Sequence, residues 1–305
     1  MPHSAENRQV RQKHGVVVLN KPAGPSSAQC LRAFKRQGQK KLGHAGTLDP
    51  MADGVLLVLL GNATKLSSWL LANGNKVYAG SLRLGLETDT WDITGQKICE
   101  KTWRHLREAD IADALCEWTE LREQAVPAFS AAKYNGQPLY KLARKGHDTP
   151  VKVKSVSIAS AELLAFKPPF VDFRVACGSG VYIRSLAHSL GMRLGCGACL
   201  SQLTREYSHP FGLNQALSLD EIESGLGDGH VLPIASALPD WPFIELNEKA
   251  AQAVRNGLSV PADPPTHGPY AILGHAGREL ALASLEKGGA CSSWRVLRGL
   301  WAEAD

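Results

Sequence analysis

Residues 43–60 read Gly-His-Ala-Gly-Thr-Leu-Asp-Pro-Met-Ala-Asp-Gly and then Val-Leu-Leu-Val-Leu-Leu. Three glycines and a proline predict a loop with constrained backbone angles over 43–54. The apolar run 55–60 has the length and composition of a buried strand. Asp49 therefore lies on a stiff loop beside a core element, and Pro50 restricts its backbone toward extended conformations. A nucleophile or base could be placed in this way; an ordinary Asx-Pro turn is the alternative interpretation.

The segments on either side of this stretch alternate between strand and helix patterns. Strands are predicted over 15–19, 76–84, 151–166 and 170–177, and helices from Ser26 or Ser27 to about Gln37, over 62–71, 106–118, about 183–194, 219–225 and 247–255. On the strand over 76–84, Tyr78 shares one face with Leu82 and Leu84. This mixture predicts an α+β chain with a loop-borne carboxylate near its centre.

Arg184 follows the glycine-rich segment 178–180, near the start of the helix predicted over 183–194. A cation is unfavourable at a helix N-terminus because the helix dipole is positive there. A carboxylate or phosphate opposite Arg184 would explain its position. A solvated helix arginine is the alternative.

The composition is typical of a soluble globular protein of one or two domains. The chain has 305 residues, of which 44% are hydrophobic and 21% are charged. The longest apolar run is too short to cross a bilayer, and residues 1–13 lack the apolar centre of a signal peptide. We therefore expect no membrane association and a cytoplasmic location.

Basic residues are concentrated in two segments of a chain whose net charge is only +5. Residues 1–48 contain nine Lys or Arg and one acid, and residues 132–154 contain six Lys or Arg and one acid. Clusters of this kind are typical of proteins that bind a polyanion. A solvated face with a basic tail is the alternative.

The seven cysteines do not indicate a disulfide framework, because their number is odd and their spacing irregular. Cys196 and Cys199 have the spacing of a metal-binding pair, but no second pair supplies the remaining ligands. His188 and His209 are the nearby candidates, and their spacing fits no common zinc site. We expect small buried thiols and no metal.

The loop residues 43–50 and 53–56 resemble the catalytic motif of the TruB-type tRNA pseudouridine synthases. Further blocks that resemble the same family follow in the same order: 76–78, 84–90, 127–144, 180–185 and 194–205. The resemblance covers residue 15 to about residue 210. It implies isomerisation of uridine 55 in the tRNA T-loop to pseudouridine, by base flipping and without cofactor or metal. The chain departs from the family at Asn20, where the family usually has Asp before Lys-Pro.

The resemblance also implies roles for particular residues. Asp49 would be the catalytic aspartate and nucleophile, Arg184 its ion-pair partner, and Tyr78 a ring against the target base. RNA contacts are implied for a further set: His44, Lys21, Lys133, Tyr182, Leu203 and Arg205. Among these, His44 would fill the space that the everted base leaves, and Leu203 would pack under that base. Attack by Asp49 on the sugar and attack on the ring both stay open.

For the fold, the resemblance implies a pseudouridine synthase core with a mixed, mainly antiparallel sheet flanked by helices. We expect a basic disordered arm over 1–14, a catalytic domain over 15–240, and a small β-rich PUA-like RNA-binding domain over 244–305. A glycine- and proline-rich shift in composition before Trp241 supports that boundary. The expected partner is the T-arm stem-loop of tRNA, and the expected state is a monomer.

Two other functions are consistent with parts of the pattern. A catalytically idle RNA-binding protein could use the same scaffold, although Asp49, Tyr78 and Arg184 are all present. A hydrolase could pair Asp49 with Asp53, four residues apart on the loop. If Arg184 lies beside Asp49, its guanidinium would favour the ionised carboxylate that an isomerase needs.

Overall fold

The computed structural model describes residues 12–145, 152–262, 268–288 and 291–301. Its strands are β1 (Gly15–Lys21), β2 (Leu42–Ala45), β3 (Asp53–Leu60), β4 (Lys76–Leu84), β5 (Leu86–Thr88), β6 (Lys97–Glu100), β7 (Glu123–Ala125), β8 (Lys133–Tyr134), β9 (Gln137–Pro138), β10 (Val153–Ser155), β11 (Ile158–Lys167), β12 (Phe170–Cys177), β13 (Ala198–Ser208), β14 (Phe211–Gly212), β15 (Leu217–Ser218), β16 (Phe243–Glu245), β17 (Val260–Ala262), β18 (Tyr270–His275), β19 (Arg278–Gly288) and β20 (Cys291–Gly299). Its α-helices are α1 (Ser27–Arg36), α2 (Ser67–Asn73), α3 (Glu108–Cys116), α4 (Leu139–Ala143), α5 (Ile183–Arg193), α6 (Leu219–Ser224) and α7 (Glu248–Arg255).

A nine-stranded sheet forms the centre of the molecule. Seven strands follow the order β11-β12-β4-β13-β3-β1-β15, while β2 pairs with β3 and β14 with β13. The β1–β15 and β13–β3 pairs are parallel, and the other pairs of this sheet are antiparallel. The predicted mixed, mainly antiparallel α+β fold is confirmed.

Strand β3 is buried on both faces, which explains why the run 55–60 is apolar without alternation. Its even-numbered residues Leu56, Val58 and Leu60 belong to a core cluster that also contains side chains of α1, α3 and α5. Its odd-numbered residues 55, 57 and 59 belong to a second core on the other face. The loop that carries Asp49 is thus fixed directly to the centre of the protein.

Most of the predicted elements are confirmed, with three differences. The strand predicted over 151–166 is two strands of different sheets, β10 and β11. The helix predicted over 62–71 is a 3₁₀ turn at Gly61–Leu66 followed by α2. The central strand β13, eleven residues long, was not predicted at all. Most of the expected basic arm, residues 1–11, lies outside the described residues.

The C-terminal residues form a separate five-stranded sheet with the order β16-β18-β19-β20-β17. One side of this sheet, including Leu273 and Ala281, packs with Ala251 and Val254 of α7. On the other side, Ile272 of β18 and Leu282 of β19 belong to the same core as the odd-numbered side of β3. The two sheets therefore share one hydrophobic core.

Candidate active site

A pocket of about 600 Å³ opens beside Asp49. The loop before β3, strands β4 and β13, the segment 126–132 and the residues before α5 all contribute to its wall. Six of the predicted site residues line it: Asp49, Tyr78, Tyr182, Arg184, Leu203 and Arg205. Asp53 is not part of this lining, so the pocket does not contain the carboxylate pair of the hydrolase alternative.

The β1–α1 connection holds the Asp49 loop in place. The buried Ser27 hydroxyl donates to the Leu48 carbonyl oxygen at 3.0 Å and accepts from the Leu48 amide at 2.9 Å. The Gly24 amide donates to the Pro50 carbonyl at 2.7 Å. Both residues that flank Asp49 are therefore anchored by hydrogen bonds, which leaves its carboxylate on a rigid support.

Arg184 forms a bidentate ion pair with Asp49. Its Nε donates to Asp49 Oδ2 at 2.8 Å, and its Nη2 donates to Oδ1 at 2.9 Å. The guanidinium also donates to the carbonyl oxygens of Thr90, at 3.0 Å, and Phe129, at 2.9 Å. The Arg184 side chain is 4% exposed and that of Asp49 is 34% exposed. Arg184 is therefore a buried support, and the partly exposed carboxylate of Asp49 lines the pocket.

Asp92 is a second carboxylate near Arg184. Its Oδ2 lies 3.7 Å from Arg184 Nε. Its Oδ1 accepts hydrogen bonds from the Thr90 hydroxyl and from the Thr94 amide and hydroxyl. Asp92 is 5% exposed and does not line the pocket. This arrangement makes Asp92 a positioning residue, which fixes the guanidinium that in turn fixes Asp49.

Tyr78 and Leu203 form apolar parts of the pocket wall. They lie on neighbouring strands, where Leu203 of β13 pairs with Gly80 of β4, and each is 6% exposed. Burial raises the pKa of the Tyr78 phenol, while its hydrogen bond with Arg205 works in the opposite direction. Tyr78 therefore carries its proton at neutral pH and offers the pocket an uncharged ring.

Arg205 lines the pocket and also supports the Asp49 loop. It is 1% exposed, its Nε donates to the Val55 carbonyl at 2.6 Å, and its Nη2 donates to the Gly46 carbonyl at 2.8 Å. These bonds tie the Asp49 loop to β13. The expected contact of Arg205 with RNA stays a prediction.

The expected RNA contact by Lys21 is wrong. The residue has no exposed surface, and its ammonium donates to the carbonyl oxygens of Pro22, Pro25 and Pro50. Three acceptors use all three N–H groups, so none is left for a phosphate. Lys21 instead fastens the β1–α1 connection to the catalytic loop. A sequence pattern can identify the Lys-Pro element, but it does not show which carbonyls surround the ammonium.

The other predicted RNA contacts differ in their positions. Tyr182 lines the pocket, and Gln124 exchanges two hydrogen bonds with its backbone. His44 lies on β2 outside the pocket lining, and its Nδ1 has no partner among the described residues. Burial and then Arg205 lower the pKa of His44, so its ring is neutral at pH 7. Lys133 belongs to β8, and its side chain lies outside the described residues.

Sequence reasoning missed Ser27, Asp92 and Gln124 as supports of the site. Ser27 was considered only as a helix cap, yet the cap is Ser26. Asp92 belongs to the motif Thr88-Asp89-Thr90-Trp91-Asp92, and its density of short polar side chains was the available signal. The partners of these side chains come from distant parts of the chain, which local patterns do not reveal.

Comparison with known proteins finds relatives over nearly the whole chain. The N-terminal domain model of the TruB family of pseudouridylate synthases matches residues 34–183. The tRNA pseudouridine synthase B of Nitratidesulfovibrio vulgaris strain Hildenborough is 54% identical over 302 residues, which cover 95% of this chain and 99% of that protein. The protein of the same name from Oleidesulfovibrio alaskensis is 53% identical over 300 residues, covering 95% and 97% of the two chains.

Solved structures share the architecture at lower identity. A chain of a Cbf5-Nop10-Gar1 complex superposes with a TM-score of 0.67 at 24% identity, covering 94% of this chain and 85% of that chain. A chain of an H/ACA RNP bound to a substrate RNA containing 2′-deoxyuridine gives the same TM-score and identity, with coverage of 95% and 86%. At this identity the likeness concerns the fold alone.

Proposed function

The chain belongs to the TruB family of pseudouridylate synthases, and we propose that it converts uridine 55 in the T-loop of tRNA to pseudouridine. As a member of this family it is an RNA isomerase. Its relatives of more than 50% identity are named tRNA pseudouridine synthase B, which supports tRNA as the substrate. The observation that carries the proposal is the Asp49 carboxylate, held by Arg184 at the wall of a pocket with an apolar side.

The reaction breaks the bond between C1′ and N1 of uridine and forms one between C1′ and C5. C5 loses a proton and N1 gains one, so atoms and charge balance without a co-reactant. Asp49 acts as the nucleophile, at the sugar or at the ring, and its carboxylate is the group able to accept the C5 proton. Both roles require an ionised carboxylate, which the bidentate guanidinium stabilises.

The target uridine reaches Asp49 only after it leaves the stack of the T-loop, which costs a few kcal/mol. Tyr78 and Leu203 offer the flipped base an aromatic and an aliphatic contact in return. His44, Lys133 and Tyr182 contact the RNA around the everted nucleotide. The neutral His44 ring occupies the space that the uridine leaves. In this proposal residues 15–240 are the catalytic part and residues 244–305 bind RNA.

The described residues contain no helix long and apolar enough to cross a bilayer. We place the enzyme in the cytoplasm, where its tRNA substrate is made, and expect it to act as a monomer.

The direct test is to incubate unmodified T-arm stem-loop RNA with the protein and to map pseudouridine by carbodiimide-dependent stops of reverse transcription. We expect a stop at uridine 55 with the unsubstituted protein and none with Asp49→Asn, which retains the size of the side chain. Asp53→Asn, at the first residue of β3, is the matched control and should remain active. Product from Asp49→Asn would remove this residue from the chemistry.

A further inference from the structure

The pocket wall carries an excess of positive charge. Its ionisable lining includes five cationic residues and one carboxylate: Lys76, Lys152, Lys154, Arg184, Arg205 and Asp49. Arg184 already neutralises Asp49 through the bidentate pair. The remaining cations therefore face a pocket whose lining offers no further carboxylate.

Among the three lysines of this lining, Lys76 is the buried one, since it is only 7% exposed. Its ammonium donates to the Gly74 carbonyl at 2.9 Å and to the Ser179 hydroxyl oxygen at 2.8 Å. The Ser179 hydroxyl itself donates to Gly74, at 3.1 Å. No carboxylate of the described residues pairs with Lys76, although buried lysines are almost always paired.

A comparison with Lys21 shows what Lys76 lacks. Both lysines are buried, but Lys21 satisfies three N–H groups with three carbonyls. Lys76 has two acceptors, so its third N–H has no acceptor within the described part of the chain. Because Lys76 lines the pocket and Lys21 does not, only Lys76 can complete its bonds with a bound molecule.

The position of Lys76 on β4 indicates which part of a substrate it faces. Lys76 and Tyr78 are two residues apart, so their side chains share one face of the strand, about 7 Å apart. A uridine whose base lies against Tyr78 carries its phosphates on the far side of its sugar. Ser179 and Gly180 line this end of the pocket, and a Cβ at Gly180 would overlap the Lys154 ammonium.

We propose that the Lys76 ammonium binds a phosphodiester group next to the target uridine, with Lys154 as a second cation at the same subsite. The proposal rests on the proposed function, because it concerns how the everted nucleotide is held. Ser179 is a positioning residue here, since its hydroxyl orients the ammonium and its own proton is used by Gly74.

Burial, together with the neighbouring cations Arg205 and Lys154 and opposed by Cys177, lowers the pKa of Lys76 to about 8. A phosphate would favour the protonated form and relieve the repulsion among these cations. In the free protein the ammonium is therefore poorly solvated. When RNA binds, its phosphate supplies the acceptor that the ammonium lacks.

The test measures binding of synthetic T-arm stem-loops by fluorescence anisotropy, in the Asp49→Asn background so that the RNA stays unmodified. One RNA is fully charged, and others carry a neutral methylphosphonate 5′ or 3′ of the target uridine, or in the stem. Lys76→Met removes the ammonium while it keeps an unbranched chain. Lys167→Met is the matched control, because Lys167 lies in the β11–β12 hairpin, at the other end of the sheet.

We expect Lys76→Met to weaken binding about 10- to 100-fold and to reduce the slope of log affinity against log salt by about one. One flanking methylphosphonate should weaken binding of the parent similarly, but change binding of Lys76→Met less than about twofold, since the two changes remove one contact. Lys167→Met should bind as the parent does. Circular dichroism checks folding, and Lys76→Gln replaces the Met variant if that variant is unfolded.

Two results with single variants would overturn the subsite: unchanged RNA affinity of Lys76→Met, or an equal loss of affinity in Lys167→Met. A third would be independent effects, in which the fold-loss of affinity from Lys76→Met and that from each methylphosphonate multiply when the two are combined. Failure of the proposed function looks different, because the unsubstituted protein would then form no pseudouridine in the fully charged RNA. If pseudouridine forms and the losses of affinity are independent, the subsite is rejected and the proposed function is kept.

Discussion

Arg184 holds Asp49 through two parallel hydrogen bonds that a lysine in the same position would not reproduce. The guanidinium has further N–H groups for Thr90 and Phe129, so one side chain joins three segments of the chain. Breaking a buried pair of this kind by removing one partner typically costs about 3–5 kcal/mol. Variants of Arg184 itself would mix chemistry with stability, and residues behind it give cleaner tests.

Asp92→Asn is the cleaner test at the residue scale. The amide retains an oxygen for Thr94 but loses the charge that faces Arg184 at 3.7 Å. We expect kcat to fall about tenfold, equivalent to about 1.4 kcal/mol, with little change in KM because Asp92 lies outside the pocket lining. Steady-state kinetics on T-arm RNA and a melting curve make the measurement.

Asp89→Asn is the matched control for that variant. Asp89 lies on the same loop, and its Oδ1 accepts a hydrogen bond from the Gln96 amide rather than from an arginine. It should keep kcat. Equal losses in both variants, or a change confined to KM, would reject the positioning role of Asp92.

Lys76 gives a prediction for the free protein as well. In the unfolded chain a lysine keeps its proton to about pH 10.4, whereas the pKa of Lys76 in the folded protein is about 8. Between these values the unfolded state binds more protons, so this residue makes stability rise with pH, by up to roughly 2–3 kcal/mol. Urea unfolding from pH 7 to 10.5 measures this contribution as the difference in free energy of unfolding between the unsubstituted protein and Lys76→Met.

The difference between the two proteins is needed because other groups face Lys76. Arg205 of β13 and Lys154 of β10 are neighbouring cations that act on its ammonium. Burial raises the pKa of Cys177 of β12 to about 12, which makes stability fall as pH rises above the pKa of an unfolded thiol. Cys177 is retained in both proteins, and only the part of its pKa shift that comes from the Lys76 charge differs between them. If the free energies of unfolding of the two proteins changed with pH in parallel, burial of the Lys76 ammonium would have no free-energy cost.

At the scale of elements, Gly54 determines how closely β3 approaches β13. Its φ is +97°, and a Cβ there would lie 2.7 Å from the Arg205 amide nitrogen and even closer to the Arg205 carbonyl oxygen. This contact brings the end of the Asp49 loop against the strand that carries Leu203 and Arg205. Only glycine permits both the backbone angle and the approach.

We expect Gly54→Ala to lower the free energy of unfolding by about 2–5 kcal/mol, the sum of an unfavourable φ and a backbone overlap. Gly257→Ala is the control that isolates the first contribution, because Gly257 has φ +75° and no atom within 4 Å of its Cβ position. It should cost about 1–2 kcal/mol. Urea unfolding followed by circular dichroism compares them, and equal costs would contradict the close approach.

Elements that depend on local pattern could be predicted, and those that depend on distant partners could not. The apolar run of β3 and the Ser26 cap of α1 need only neighbouring residues to be identified. Strand β13 was missed because Ser201, Gln202 and Thr204 interrupt its apolar residues, and register shifts against β4 break its alternation. Its place at the centre of the sheet is set by pairing with β4 and β3, which the sequence does not display.

The same distinction applies to the site. The position of Asp49 on a stiff loop could be predicted, and the pairing with Arg184 was inferred from a resemblance. The surroundings of Lys21 were not foreseen, because three carbonyls from separate turns converge on it. A motif identifies a residue type, whereas burial and hydrogen-bond partners decide whether that residue can contact RNA.

At the scale of the whole molecule, the boundary expected near Trp241 divides two sheets that share a core. Ile272, Leu282 and Leu300 of the C-terminal part belong to the core on the odd-numbered side of β3. The Asn62 side-chain amide also donates to the Leu300 carbonyl, and the Lys65 ammonium to the Gly299 carbonyl. The C-terminal part therefore packs against the central sheet, and we expect it to stabilise that sheet.

A chain that ends after Trp241 should lose this cover and expose an apolar face of the central sheet. We expect that fragment to aggregate or to melt at a lower temperature than the whole protein, measured by size-exclusion chromatography and calorimetry. A monodisperse fragment with an unchanged melting temperature would show that the shared core contributes little.

A pair of leucines gives the matched comparison within the intact chain. Leu282 is fully buried in the shared core, and Leu258 is 58% exposed. Leu282→Ala should cost about 2–5 kcal/mol and Leu258→Ala less than about 0.5 kcal/mol. Loss of pseudouridine formation on warming should follow the same order, since the core of the catalytic sheet is affected.

Asp49 and Arg184, which form the ion pair of the site, are 135 positions apart along the chain. Between them the polypeptide must complete β3, β4 and β12 before the guanidinium can meet the carboxylate. A nascent chain therefore cannot form this ion pair until residue 184 has been synthesised and the intervening strands have paired. A polypeptide that ends before α5 would keep the carboxylate without the guanidinium that holds it.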